Sequence, residues 1–92
     1  MNVKVKFFAR FRELLGTDLV TEAHEDMTIA AVVSAATGKN QEGHDAIFDQ
    51  KGNFLEFVIV MQNGKRVETA DAAAITVADG DEIAIFPPVA GG

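Results

Sequence analysis

The sequence predicts an α+β domain in which one main helix packs across one face of a small mixed β-sheet. Two observations support this prediction. Apolar residues alternate with polar ones near the N-terminus, as in a half-buried strand, and an internal stretch repeats apolar residues with the helical period. The chain has 92 residues, 48% of them hydrophobic, which is enough for one core.

Composition argues against several functions. The chain has no cysteine, so disulfides, thiolate metal sites and a cysteine nucleophile are excluded. The net charge of −6 makes nucleic acid a poor partner, because phosphate binding needs clustered lysine and arginine. No apolar run approaches the roughly 20 residues of a membrane span, and the N-terminus lacks a signal-peptide pattern. We therefore expect a cytoplasmic protein that binds neither nucleic acid nor membrane.

The first half of the chain predicts two strands and the main helix. Alternation over residues 2–7 predicts the first strand, and a helical turn or two follows over residues 8–15. Asp18 to Glu22 predicts a second strand, antiparallel to the first because the connection is short. The main helix is predicted over residues 29–37, with Thr28 as its N-cap.

The second half predicts three more strands. Phe57 to Met61 is apolar on both faces, as expected of a central strand. Asn63-Gly64 predicts a hairpin turn into Lys65 to Glu68. After a possible helical turn at residues 70–74, the final strand is predicted over Glu82 to Phe86.

The stretch Lys39 to Asn53 is polar and irregular. It predicts a connecting loop, pinned by Ile47 and Phe48, with at most one helical turn at residues 45–48.

This order of elements fits a β-grasp, or ubiquitin-like, fold. The last strand then lies parallel to the first in a mixed sheet of four to five strands, and the helix crosses one sheet face. We expect residues 1–86 to form the β-grasp domain and residues 87–92 to form an extended, flexible tail.

Side chains suited to catalysis are scarce. Ser34 is the only serine, and no histidine stands at a suggestive spacing from it. His24 and His44 are isolated in polar stretches, which favours surface histidines over metal ligands. The scattered glycines form no phosphate-binding loop. We therefore predict no enzymatic activity, no metal site and no bound cofactor.

Three apolar residues lie on the strand faces opposite the predicted core: Phe8, Phe86 and Ile59. Either the loop at 39–53 covers them, or they form an exposed patch that docks a partner protein. After Arg66 every charged residue is acidic. We therefore expect an acidic surface that leads to the tail and steers a basic partner towards it.

The sequence ends in a tail formed by Pro87, Pro88, Val89, Ala90, Gly91 and Gly92. The prolines stop the strand and favour a stiff, extended backbone, and the glycines fit a channel too narrow for side chains. A terminal carboxylate reacts only after another enzyme activates it, usually as an acyl-adenylate. Sulfide would then give a thiocarboxylate, and a lysine amine would give an isopeptide bond. The alternative is an ordinary frayed terminus.

Two segments carry a family resemblance: KVKFFARFRELLGTD at residues 4–18 and DGDEIAIFPPVAGG at residues 79–92. They resemble the MoaD/ThiS family of ubiquitin-like sulfur carriers, and within it the molybdopterin synthase small subunit; VIVMQNGKRV at residues 58–67 is a weaker match. FDQKGNFLEFVIVMQNG at residues 48–64 resembles small archaeal modifier proteins of the same family.

The resemblance implies two partners. A ubiquitin-activating-type enzyme would use ATP to adenylate Gly92, and the large subunit of molybdopterin synthase would accept the thiocarboxylated tail. Phe8 and Phe86, with Pro87 and Pro88, would form the docking surface.

The main alternative is a modifier that is conjugated through Gly92 to lysines of target proteins, and one activated tail could serve both uses. A third alternative is an inert β-grasp interaction module. The segment 39–53 resembles no sulfur-carrier motif and could tune the choice of partner.

Overall fold

The computed structural model describes residues 1–88 of the chain and shows five strands and three helices there. In chain order the elements are β1 (Asn2–Phe7), α1 (Ala9–Leu15), β2 (Asp18–Glu22), α2 (Ile29–Thr37), α3 (Gln41–Ile47), β3 (Ile59–Gln62), β4 (Lys65–Val67) and β5 (Glu82–Phe86). The strands form one mixed sheet in the order β2-β1-β5-β3-β4. The α+β prediction with the β-grasp strand order is confirmed.

The parallel pair of β1 and β5 forms the centre of the sheet. Val5 pairs with Ile83, and Phe7 pairs with Ile85. β2 flanks this pair on one side and β3 on the other, both antiparallel to their neighbours. The predicted parallel arrangement of the first and last strands is therefore confirmed.

One sheet face is buried beneath α2. Because side chains alternate along a strand, every second residue of β1 and β5 points to this face. The fully buried residues include Val3, Val5, Ile83 and Ile85 from β1 and β5 and Ile29, Val32 and Val33 from α2. Burial of each such side chain contributes about 1.5–3 kcal/mol, so this layer is a major source of stability.

Thr28 caps α2, as predicted. Its Oγ1 accepts a hydrogen bond from the N–H of Ala31 at 3.2 Å. The N–H groups of Ile29 and Ala30 donate to carbonyl oxygens in the turn at 68–75, at 2.9 and 3.1 Å. The first N–H groups of a helix have no partner within it, so these bonds fix where α2 begins.

The loop predicted for residues 39–53 was wrong, because Gln41–Ile47 forms α3. Asn40 begins this helix: its Oδ1 accepts from the N–H of Gly43 at 2.9 Å, and its Nδ2 donates to a carbonyl at the end of α1 at 2.6 Å. Ile47, at the other end, is fully buried. The sequence QEGHDAI has a weak helix signal, since it contains a glycine and a single large apolar residue. Tertiary contacts therefore decide this helix.

Smaller differences concern strand ends. β3 begins at Ile59, because Phe57 lies in the preceding turn, and β4 ends at Val67. The predicted Asn63-Gly64 turn joins them, with φ of 51° and 84°, as such a turn requires. No helix within residues 1–88 is long and apolar enough to cross a membrane.

Asp81 ties the start of β5 to the β3–β4 turn. Its Oδ1 accepts from Asn63 Nδ2 at 2.9 Å. Its Oδ2 accepts from the side chain of Gln62 at 3.1 Å and from the N–H of Ala78 at 2.8 Å. Asn63 Oδ1 in turn accepts from the N–H of Glu82 at 2.9 Å. One carboxylate therefore joins three segments at this end of the sheet.

We expect the fold to lose stability in acid through Asp81. The hydrogen bond from Asn63, with smaller contributions from Ala78 and Gln62, lowers the pKa of Asp81 although partial burial opposes the shift. The folded-state pKa is then below the unfolded value of about 3.9, so this stabilisation is complete above that value. It is lost as the pH falls through the lowered pKa.

Thermal unfolding between about pH 5 and pH 2 measures this effect. The Tm of the wild type should fall more steeply than that of Asp81→Asn, which cannot ionise. Equal slopes for the two proteins would contradict a role for this carboxylate.

Candidate functional site

Phe8 and Phe86 form an aromatic stack where β1 and β5 end. Their ring centroids are 4.3 Å apart, and the ring planes differ by 11°. The parallel register brings them together, because Phe7 pairs with Ile85 and the N–H of Phe8 donates to Ile85 O at 3.2 Å. Both rings lie on the sheet face opposite the buried Phe7 and Ile85.

Ile59 lies beside this stack. It stands directly opposite Phe86 in the antiparallel pair of β3 and β5, and both residues are half-buried. The structure therefore places the three predicted docking residues, Phe8, Phe86 and Ile59, next to one another on one face.

An apolar groove with a volume of about 920 Å³ opens over this face. The residues that line it are Phe8, Ala9, Arg10, Phe11, Ala46, Leu55, Phe57, Ile59, Met61, Phe86, Pro87 and Pro88. Phe57, which the sequence placed in a strand, projects from a turn and is 52% exposed. Contiguous exposed apolar surface of this kind commonly marks an interaction site.

The segment 39–53 forms part of one wall of the apolar groove and leaves the groove open. Ala46 of α3 reaches the lining, while Phe8 and Phe86 stay half-buried. The close approach of α3 to α1 depends on Gly43, because a Cβ at this position would lie 2.6 Å from Leu15 Cγ. The segment therefore forms one side of the apolar groove. It does not cover Phe8 and Phe86 completely, because both stay half-buried.

The charge at the groove differs from the sequence-based expectation. Arg10 is the one charged residue that lines it within residues 1–88. Asp79 and Asp81 precede β5, whereas Phe86 is the last of its five residues, and a strand of that length spans about 16 Å. The expectation of an acidic surface beside the tail is therefore wrong for Asp79 and Asp81, which lie at the far end of β5.

The tail begins at the rim of the apolar groove. The sheet pairing of β5 ends at Phe86, and Pro87 and Pro88 both line the groove, the first half-buried and the second exposed. Neither proline has an N–H, so the ladder cannot continue. Val89, Ala90, Gly91 and Gly92 lie outside the described residues, so the structure places the predicted tail only through its two prolines.

The contact between α2 and α3 brings Ser34 close to His44, which the sequence did not suggest. Ser34 Oγ lies 3.4 Å from His44 Nε2, and His44 Nδ1 lies 3.6 Å from Asp45 Oδ1. The His44 ring also stacks on Phe48, with centroids 4.9 Å apart. These contacts hold α3 in place. Asparagine is a common N-cap residue, so Asn40 was the sequence signal that could have predicted α3 and with it the position of His44.

The described part of the chain, residues 1–88, contains no group of three His, Cys, Asp or Glu side chains arranged to hold a metal ion.

Known proteins are similar to this chain over its full length. The ThiS family model matches residues 5–92. Small archaeal modifier protein 3 of Haloferax volcanii is 32% identical, with 100% of both chains covered. The molybdopterin synthase sulfur carrier subunit of Haemophilus influenzae is 37% identical over 98% of this chain and 99% of that one. The crystal structure of SAMP1 from Haloferax volcanii matches with a TM-score of 0.86 at 28% identity, covering 100% of both chains.

We expect Phe86→Ala to lower the free energy of unfolding by only about 1–2 kcal/mol. The ring is half-buried, and its stack with Phe8 contributes about 0.5–1.5 kcal/mol. Ile85→Ala is the matched control, because Ile85 is fully buried on the opposite face and should lose about 2–5 kcal/mol. Urea denaturation measures both losses. Equal losses would place Phe86 in the core.

Proposed function

We propose that this chain, which belongs to the ThiS family, is a ubiquitin-like sulfur carrier of molybdopterin biosynthesis that reacts through Gly92. The observation that carries the proposal is the position of the apolar groove. It lies where Pro87 and Pro88 leave the sheet, four residues before the Gly92 end of the sequence. A partner bound in the groove therefore lies within reach of the end of the chain. The relative named as a sulfur carrier subunit supports the proposal.

The first step is activation of the Gly92 carboxylate by a separate ubiquitin-activating-type enzyme. A carboxylate oxygen attacks the α-phosphorus of ATP, the bond to the β-phosphate breaks, and pyrophosphate leaves. Hydrosulfide then attacks the acyl carbon of the adenylate, AMP leaves with the bonding electron pair, and a proton is released. The product is a thiocarboxylate, formed without any catalytic side chain of this chain.

The second step is delivery of the sulfur. The large subunit of molybdopterin synthase binds the apolar groove and receives the thiocarboxylated tail. The sulfur attacks a carbon of the pterin precursor, and the oxygen substituent of that carbon leaves with the bonding electron pair. Water then attacks the acyl carbon and cleaves the acyl–sulfur bond, which leaves the sulfur on the precursor as a thiolate and regenerates the Gly92 carboxylate. The aromatic stack of Phe8 and Phe86, with Ile59, supplies the apolar contact that both partner enzymes use in turn.

Protein modification is the second candidate function. Two full-length relatives favour it: small archaeal modifier protein 3 and the SAMP1 structure. In this case the neutral amine of a target lysine attacks the activated Gly92 carbonyl. The activating group leaves, the nitrogen loses a proton, and an isopeptide bond forms. Both fates consume the same activated end, so one chain can serve both.

The terminal chemistry is tested by deleting Gly92 or by adding an alanine after it. Either change should abolish activation and leave the fold intact, because the last strand ends at Phe86. The full chain is incubated with the adenylating enzyme of its host, ATP and hydrosulfide. Intact-mass spectrometry then detects the replacement of one oxygen by sulfur.

Far-UV circular dichroism of both variants is the control for folding. Charging of the variants would overturn the terminal chemistry. A wild type that forms neither adenylate nor thiocarboxylate would instead support an inert β-grasp module.

The two fates are separated in the host. Deleting the gene should abolish molybdenum- or tungsten-enzyme activity if the chain is a sulfur carrier. A strain with an N-terminally tagged copy should show a ladder of lysine-linked adducts on blots if the chain is a modifier. The ladder must disappear when Gly92 is deleted, which excludes non-covalent aggregates.

Phe86→Ala links the groove to these reactions. We expect it to raise the KM of the activating enzyme for the carrier while kcat stays close to the wild-type value, because docking is weakened and the reacting end is unchanged. A lowered kcat at unchanged KM would contradict a docking role.

A further inference from the structure

β2 is an edge strand, because it pairs with β1 and with no other strand in residues 1–88. At the two ends of this pair, the N–H of Ala23 donates to Met1 O at 2.7 Å and the N–H of Phe7 donates to Thr17 O at 2.9 Å. The odd-numbered residues of β2 therefore form the hydrogen bonds to β1. In an antiparallel pair, the backbone N–H and C=O groups of successive residues point alternately towards the partner strand and away from it. The backbone N–H and C=O groups of Asp18, Val20 and Glu22 therefore point away from the sheet. They form a free edge for an added strand.

The two edges of the sheet differ. β4 has only three residues, and its Lys65 and Arg66 are exposed charges, which protect an edge from unwanted pairing. β2 has five residues, and Val20 at its centre is 66% exposed. The centre of β2 is therefore apolar and open.

A second groove runs beside β2, with a volume of about 320 Å³. Its lining includes the apolar residues Leu14, Leu15, Leu19 and Ala36 and one charged residue, Lys39, and none of its lining residues belongs to the apolar groove at the tail. In an added strand, successive side chains would point alternately to the helix side of the sheet and to the outer face. Those on the helix side would enter this second groove. The remaining side chains would lie beside Val20 on the outer face.

Charge decides which strand fits. Asp18 and Glu22 are exposed at the two ends of β2, with their side chains on the outer face. Across the pair, Lys6 stands opposite Asp18, but its ammonium bonds Glu82 at 3.1 Å. Lys4 stands opposite Val20, two pairs further along, and within residues 1–88 neither lysine forms an ion pair with Asp18 or Glu22. Both carboxylates therefore stay available to a partner.

We propose that β2 binds an extended segment of a partner protein as an added antiparallel strand, with the pattern basic–apolar–apolar–apolar–basic. The two basic residues stand opposite Glu22 and Asp18, and the central apolar residue stands opposite Val20. The other two apolar residues enter the second groove. Main-chain hydrogen bonds supply affinity, and the charge pairs supply selectivity. This site is independent of the chemistry at Gly92.

A second copy of this chain fits the edge poorly. Antiparallel pairing of two β2 strands about Val20 would place Asp18 of each copy opposite Glu22 of the other. Like charges directly opposite each other destabilise a pair of strands. The occupant is therefore a different, basic segment.

The test is an NMR titration of the ¹⁵N-labelled full chain with two capped peptides, Ser-Lys-Val-Val-Val-Lys-Ser and Ser-Glu-Val-Val-Val-Glu-Ser. We expect the lysine peptide to bind about tenfold more tightly. The chemical-shift changes that it causes in the chain should centre on residues 18–22 and on the second groove. In the double variant Asp18→Lys/Glu22→Lys this preference should reverse, since both positions are exposed and the change is confined to charge.

A third peptide, with an N-methyl group on the central valine, needs no change in the protein. It lacks the N–H that would pair with Val20, so we expect at least about tenfold weaker binding. Equal binding of the lysine and glutamate peptides would overturn the proposal. Chemical-shift changes at Phe8 and Phe86 in place of β2, or no binding at millimolar peptide, would overturn it as well. So would shift changes in β2 that depend on protein concentration alone, because they would indicate self-association.

Discussion

The parallel pairing of β1 with β5 is the interaction on which the rest of the structure depends. It joins the first and last strands of the domain and buries Val5 and Ile83 side by side beneath α2. The same register places Phe8 and Phe86 in contact on the opposite face. The aromatic stack, the apolar groove and the start of the tail are therefore consequences of one strand pair. A change in this register would separate them.

The two ends of β5 have different chemistry, and this division fits a protein that presents its end to other enzymes. At one end Asp81 and Asn63 form a hydrogen-bonded polar network that holds the β3–β4 turn. At the other end Phe86 and Pro87 line an apolar groove in which Arg10 is the only charged residue among the described lining. The stabilising polar contacts thus lie far from the surface that partners are proposed to use.

The segment 39–53 shows where prediction from the sequence failed. Helix α3 has a weak local signal, and it forms because Asn40 bonds the end of α1 and because Gly43 lets Leu15 approach. Since α3 was missed, its contribution to the wall of the apolar groove and the Ser34–His44 contact were missed as well. The error in charge placement has a similar origin. Positions that are close in sequence, such as Asp81 and Phe86, lie at opposite ends of an extended strand.

The sequence by itself determined the α+β class, the cap at Thr28 and the Asn63-Gly64 turn. These depend on local conformational preferences and on the period of apolar residues, which are properties of neighbouring residues. Only the tertiary structure decided the existence of α3, the shape and charge of the groove beside Phe86 and the free edge of β2. These depend on which distant segments come into contact, and contacts of that kind leave little trace in a local pattern.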